Sequence, residues 1–275
     1  MADYTLEVVT RKDISYEKSK VYARISCDAF RNDLIAKAFT TVDNSLADDE
    51  IPSIYNYEKL RHKVNIFERN VENSARGIHE LLLGEDRARL FFLKRNSEYV
   101  AASFFMLPKY AAPKTRLSFF EWIKYLYLKS YYWFTSKKDT FDYSGFIGEL
   151  IWAKHHTGIG NDKETLNVIK NAKPETLEAT GYPMDDAYSL CIFTVKSEEH
   201  GKGVGKVFMN KIIEHIKSIA IPPPDFGPEA KAKFILQSVP TARGFYDKLG
   251  FRCCGTASHV VNGIALDHST YFKNL

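Results

Sequence analysis

The sequence predicts a mixed α/β protein, one central β-sheet flanked by helices. Three observations carry the expectation. Short apolar runs alternate with longer segments whose apolar residues recur at helical spacing. Two of those runs, RLFFLKR and EYVAASFFML, are separated only by Asn96 and Ser97, as in a β-hairpin. A third, YSLCIFTV at 188–195, leads through the glycine-rich HGKGVG at 200–205 into the helical pattern VFMNKIIEHIKSIA.

Taken in order, TLEVV at 5–9 reads as a first strand and SKVYARISCDAFRNDLIAKAF at 19–39 as a helix. Polar TTVDNSLADDEIPS breaks that pattern as a loop. YNYEKLRHKVNIFERNVENSARGIHELLL resumes it from Tyr55, in one or two pieces, before the hairpin. After the glycine loop and its helix, Pro222, Pro223 and Pro224 end the helix, because each ring removes a donor and clashes with the preceding turn. A strand KFILQS and the segment TARGFYDKLGF follow, and RCCGTASHVV with IALDHSTYFKN reads as a closing hairpin. With no internal repeat and no evident linker, residues 1–275 are expected to form a single domain.

Residues 108–187 separate the third strand from the fourth, far more chain than the ~4–6 residues of an ordinary connection. They are expected to form a helical insertion. Its segment LSFFEWIKYLYLKSYYWF at 117–134 is dense in aromatics, and GELIWAKHH and NDKETLNVIKNA read as short helical pieces. The expectation is that these aromatics pack inward, covering one side of a cleft, since so many rings need burial. The competing reading is a membrane-surface helix, which requires exposed aromatics backed by basic residues such as Lys124 and Lys129.

Composition narrows the function classes. Hydrophobic residues at 45% and charged residues at 26% are ordinary for a folded protein. A net charge of +4 lacks the clustered basicity of a nucleic-acid binder, and suits an anionic small molecule. Cys27, Cys191, Cys253 and Cys254 show no CxxC spacing, so neither zinc nor a disulfide framework is expected, and no metal is expected at all. The first residues lack the apolar core of a secretory signal, and no run of 18 uncharged apolar residues occurs. The expected location is cytoplasmic.

Strand, glycine loop and helix in that order bring backbone N–H groups and the positive end of a helix dipole to one place, which suits an anion. The P-loop is excluded because no Gly-Lys-Ser/Thr closes the segment, and the spacing is GxGxG where a dinucleotide fingerprint needs GxGxxG.

A second segment about forty residues downstream sharpens the reading. Val195-Lys196-Ser197-Glu198-Glu199-His200-Gly201-Lys202-Gly203-Val204-Gly205 lies without gaps over the pattern V-x-P-E-x-Q/R-G-x-G-x-G/A, and Ala242, Phe245, Tyr246, Lys248, Gly250 and Phe251 match alanine followed by F-Y-x-K-x-G-F. Together these segments resemble the GNAT superfamily of N-acetyltransferases. Ser197 replaces the usual proline, His200 the preferred Gln or Arg, and Val239 an Asn found in many members. Specific similarity spans 188–255, the expected acetyl-CoA-binding core.

The resemblance implies a splayed sheet, and acetyl-CoA as co-substrate, with its pyrophosphate on His200, Gly201, Lys202, Gly203, Val204, Gly205 and Lys206. Phe193, Thr194 and Val195 would hold the pantetheine arm and polarise the thioester carbonyl, with Ser238 on the neighbouring strand. Tyr246 would be the general acid, its phenol, with an ordinary pKa of ~10, protonating the departing thiolate. Glu149, His155, His156, Asp185 and Asp186 are candidates for a general base, and a water chain is another, so none is assigned. The implied reaction is acetyl transfer to a primary amine of a small molecule. Alternatives are a protein or peptide N-acetyltransferase and a non-catalytic CoA-binding module. Neither nucleic acid nor a membrane span is expected among the partners.

Overall fold

The computed structural model describes residues 3–30, 66–113, 117–135, 186–224, 230–238, 242–261 and 264–275. The expected helical continuation at 31–39, the loop after it, the start of the second helix at 55–65 and the pieces GELIWAKHH and NDKETLNVIKNA lie outside them.

Among the described residues seven strands form one sheet in the order β1-β2-β3-β4-β5-β7-β6. These are β1 (Tyr4–Val9), β2 (Ala88–Arg95), β3 (Glu98–Met106), β4 (Tyr188–Val195), β5 (Lys233–Ser238), β6 (Arg252–Val261) and β7 (Ile264–Asn274). All neighbours are antiparallel except β4 and β5, which run parallel. Both expected hairpins form. In the first, Asn96 and Ser97 take φ of 49° and 72°, the left-handed pair that lets a two-residue loop follow the strands' twist.

Side-chain alternation gives the sheet two buried faces. Leu90, Phe92, Ala102, Phe104 and Ile192 point to one, under α1 (Tyr16–Ala29) and α2 (Ile66–Gly84). Phe91, Leu93, Ala101, Phe105 and Leu190 point to the other, under α4 (Val204–Ile219) and beside α5 (Arg243–Lys248). α1 starts three residues before the expected Ser19, because Ser15 caps it by accepting the Lys18 N–H at 3.2 Å. α4 ends at Ile219, before the three prolines, and the Ile221 N–H donates to the Tyr188 hydroxyl at 3.0 Å.

The described part of the insertion includes a 3₁₀ turn, Lys109–Ala111, and the helix α3 (Phe119–Thr135), between the third and fourth strands. Its aromatic packing is not as expected. Phe119, Phe120 and Tyr127 are 67%, 81% and 66% exposed, and Trp122, Ile123, Leu126 and Tyr131 are exposed as well. The apolar residues run round the helix, but among its described side chains only the strip holding Tyr125, Leu128 and Lys129 is turned inward. Tyr125 lies against Gly84 at the end of α2, where an added Cβ would sit 3.0 Å from the ring, so the glycine permits the approach.

Glu80 of α2 lies buried near this junction, and burial pushes its carboxyl up to about 7, with Lys129 pulling it partly back. The folded state therefore holds a proton that the unfolded chain releases near pH 4.5, so stability falls as pH rises from there to about 7 and stays reduced above. Glu80→Gln is expected to raise the melting temperature at pH 8 by a few degrees, at ~2–4 °C per kcal/mol for a chain of this size, and to lose its advantage near pH 4. Scanning calorimetry across that range checks the slope.

Candidate active site at the splayed strands

Parallel pairing of β4 with β5 covers only Tyr188↔Phe234, Ser189↔Ile235 and Leu190↔Leu236. The cause lies in β4 itself. On its other edge, Phe105 pairs with Leu190 and Phe104 with Ile192, leaving Cys191 as an extra residue, a β-bulge. A bulge bends its strand and shifts the alternation. Beyond it β4 stays with β3 and leaves β5, whose last residues Gln237 and Ser238 pair with β7 alone. A notch opens between the two strands.

Register decides which backbone groups face that notch. The Lys196 N–H donates to the Val100 carbonyl at 3.0 Å, and in an antiparallel ladder bonded pairs alternate, so Thr194 is also bonded to β3. The backbone groups of Phe193 and Val195 therefore point away from β3, toward β5. Thr194 is spent on the fold: its side chain is buried, donates to the Ala102 carbonyl at 2.9 Å and lies 3.4 Å from the Ser26 hydroxyl. The Phe193 ring stacks on Phe208 of α4 at 5.1 Å and meets Phe245 of α5 at 5.9 Å.

The glycine loop leaves β4 through a short 3₁₀ turn, Ser197–Glu199, and enters α4 at Gly203, whose φ of 79° favours a residue without Cβ. No side chain caps α4 there. The Val207 N–H is bonded back to the Gly203 carbonyl at 3.2 Å, so the N–H groups of Val204, Gly205 and Lys206 precede the helical ladder. An added Cβ at Gly205 would lie 3.7 Å from both Phe245 and Val195, which places the start of α4, α5 and the end of β4 at one locus. Lys202 and Lys206 are exposed beside it, and the His200 Nε2–H donates to the Val195 carbonyl at 2.9 Å. Ser238, buried, ends the opposite strand.

Tyr246 sits on α5 with its ring buried among Phe245, Phe251 and Tyr271, at centroid distances of 5.1, 5.9 and 5.8 Å. Burial pushes its phenol well above the ordinary value, so it keeps its proton throughout the neutral range. Glu149, His155, His156 and Asp185 lie outside the described residues, and Asp186 lies before β4, at the end away from the loop.

Two supports of the loop were not legible in the sequence. Arg95, at the end of β2, grips the buried Glu199 in bidentate fashion at 2.7 and 2.8 Å, and its guanidinium holds that carboxyl below the usual range. The Ser197 N–H donates to Asp28 of α1 at 2.8 Å. Both partners lie more than a hundred positions away, and no local pattern marks them. Arg95→Leu is expected to leave the sheet intact while speeding amide hydrogen exchange severalfold in the turn feeding Gly201–Gly203, as residue-resolved exchange checks, because that turn loses its anchor.

Among the described residues no cluster of His, Cys, Asp and Glu could hold a metal. Residues 156–268 match the family model of an acetyltransferase (GNAT) domain, a span that includes the loop, both strands of the notch and Tyr246. No curated protein matches the sequence. Similar solved structures include an N-acetyltransferase from Staphylococcus aureus Mu50, at 12% identity over 99% of this chain and 98% of that one, TM-score 0.39. A polyamine N-acetyltransferase of Drosophila melanogaster, which forms N-acetylagmatine, is similar at 10% identity over 99% and 100%, TM-score 0.46. The ribosomal-protein-S18-alanine N-acetyltransferase of Escherichia coli is similar at 8% identity over 99% and 94%, TM-score 0.41.

Proposed function

We propose that this chain, whose residues 156–268 carry a GNAT acetyltransferase domain, transfers an acetyl group from acetyl-CoA to a primary amine of a small molecule. The observation that carries the reading is the notch beyond Leu190 and Leu236, opening beside the uncapped first turn of α4.

An anionic diphosphate suits that turn, where Val204, Gly205 and Lys206 offer N–H groups at the positive end of a 16-residue helix, with Lys202 and Lys206 adding charge. A pantetheine arm, itself a chain of amides, would then lie along β4 as a strand does, bonding Phe193 and Val195. A free N–H on that edge would stabilise the oxyanion as the amine attacks the thioester carbon. Collapse of the tetrahedral adduct breaks the C–S bond, and the thiolate takes a proton from Tyr246. The protonated amide nitrogen loses its proton to water or to a group outside the described residues. His200 holds the Val195 carbonyl and so fixes the end of the strand.

Four free cysteines agree with a reducing, cytoplasmic setting. The test is release of CoA thiol from acetyl-CoA with a panel of small amines, amino acids and peptides. Turnover with small amines is expected. Turnover only with peptides would move the acceptor class, and binding without turnover on any amine would leave a CoA-binding module.

A further inference from the structure

We propose that α3 docks this protein on an anionic lipid surface, its outward aromatic face entering the headgroup layer and the bordering Lys124 meeting lipid phosphates. At 3.6 residues per turn, the arc from Trp122 through Phe119, Ile123, Tyr127 and Phe120 to Tyr131 covers about half of the helix circumference. All six of these side chains are exposed. The rings are already ordered against one another, Phe119 stacked with Trp122 and Tyr127 with Tyr131.

The arrangement across the arc favours a bilayer over a protein groove. Phe119, Ile123 and Phe120 lie within it together with Tyr127 and the small Ser130, while Trp122 and Tyr131, whose amphipathic rings suit the depth of headgroups, occupy its two borders. One step beyond the Tyr131 border comes the exposed Lys124, whereas Lys129, past Trp122, is half-buried with its ammonium over the Tyr125 ring. The Lys124 stem can lie along the apolar surface with its ammonium group in the phosphate layer. The acid of the helix, Glu121, falls on the opposite side, close to Arg11 and Lys12 of the turn after β1. A protein groove would ask for a narrower apolar stripe with polar rims of both signs. Among the described residues no helix is long and apolar enough to cross a membrane, so α3 would lie on the surface.

The test uses the purified full-length chain with vesicles of phosphatidylcholine alone and of phosphatidylcholine containing about one third phosphatidylserine. Co-sedimentation is expected with the anionic vesicles, at least about tenfold weaker with the neutral ones, together with a blue shift of tryptophan emission. Phe120→Glu with Tyr127→Glu is expected to lower the partition by about tenfold or more, and Lys124→Glu to lower it severalfold. The melting temperature should not change, since Phe120 and Tyr127 are 81% and 66% exposed. Absence of wild-type binding to anionic vesicles overturns the proposal, as does a dimer in analytical ultracentrifugation that the double variant dissociates. Should the double variant fail to fold, the lipid dependence of the wild type still decides. None of these readouts depends on turnover, so their failure is separate from failure of the acetyltransferase reading.

Discussion

Tyr246→Phe is expected to lower kcat by ~10²–10⁴-fold while leaving the affinity for acetyl-CoA nearly unchanged. The ring is held by Phe245, Phe251 and Tyr271, and a phenylalanine keeps those contacts, so only the hydroxyl is lost. In the proposed reaction its proton is needed as the thiolate departs, after binding is complete. Because burial raises the phenol's pKa, the wild-type rate should show no loss from ionisation of this group up to at least pH ~10. Steady-state rates and a calorimetric titration of both proteins separate the two effects. A Phe variant at full rate would assign protonation of the sulfur to water or another group and leave Tyr246 as a packing residue.

Gly205→Glu should abolish productive binding, raising the Kd for acetyl-CoA on the order of a hundredfold or more, the factor that ~2.7 kcal/mol supplies. The backbone tolerates a side chain there, since a Cβ makes ordinary contact with Phe245 and Val195 at 3.7 Å. A carboxylate on a two-carbon stem would then compete with the phosphates for the same N–H groups. Gly205→Ala is the control, expected to retain binding. Unchanged CoA affinity in a folded Glu variant would end the phosphate assignment of the loop.

Legibility of the fold followed how local its causes are. The hairpin around Asn96 and Ser97 and the strand 188–195 were readable because alternation and turn position are written in adjacent residues. The glycine loop was readable because positive φ at Gly201 and Gly203 leaves its mark in residue type. The bulge at Cys191 was not, since a cysteine in an apolar run carries no sign of an extra residue, and only pairing with Phe104 and Phe105 exposes it. That bulge aims Phe193 and Val195 at the notch and leaves Thr194 bonded to the fold. The aromatics of α3 misled for the opposite reason: ring density announces a need for burial without saying what buries them, and among the described side chains of the helix only a narrow strip around Tyr125 is turned inward.

The most direct test of the central claim is residue-resolved amide hydrogen exchange with and without saturating acetyl-CoA. Slowed exchange is expected at Gly203, Val204, Gly205 and Lys206 in the loop and at Phe193 and Val195 on the open edge of β4, with Thr194 unchanged because it is already bonded to β3. Unaltered exchange at those six amides, or slowing confined to another part of the chain, would contradict the account.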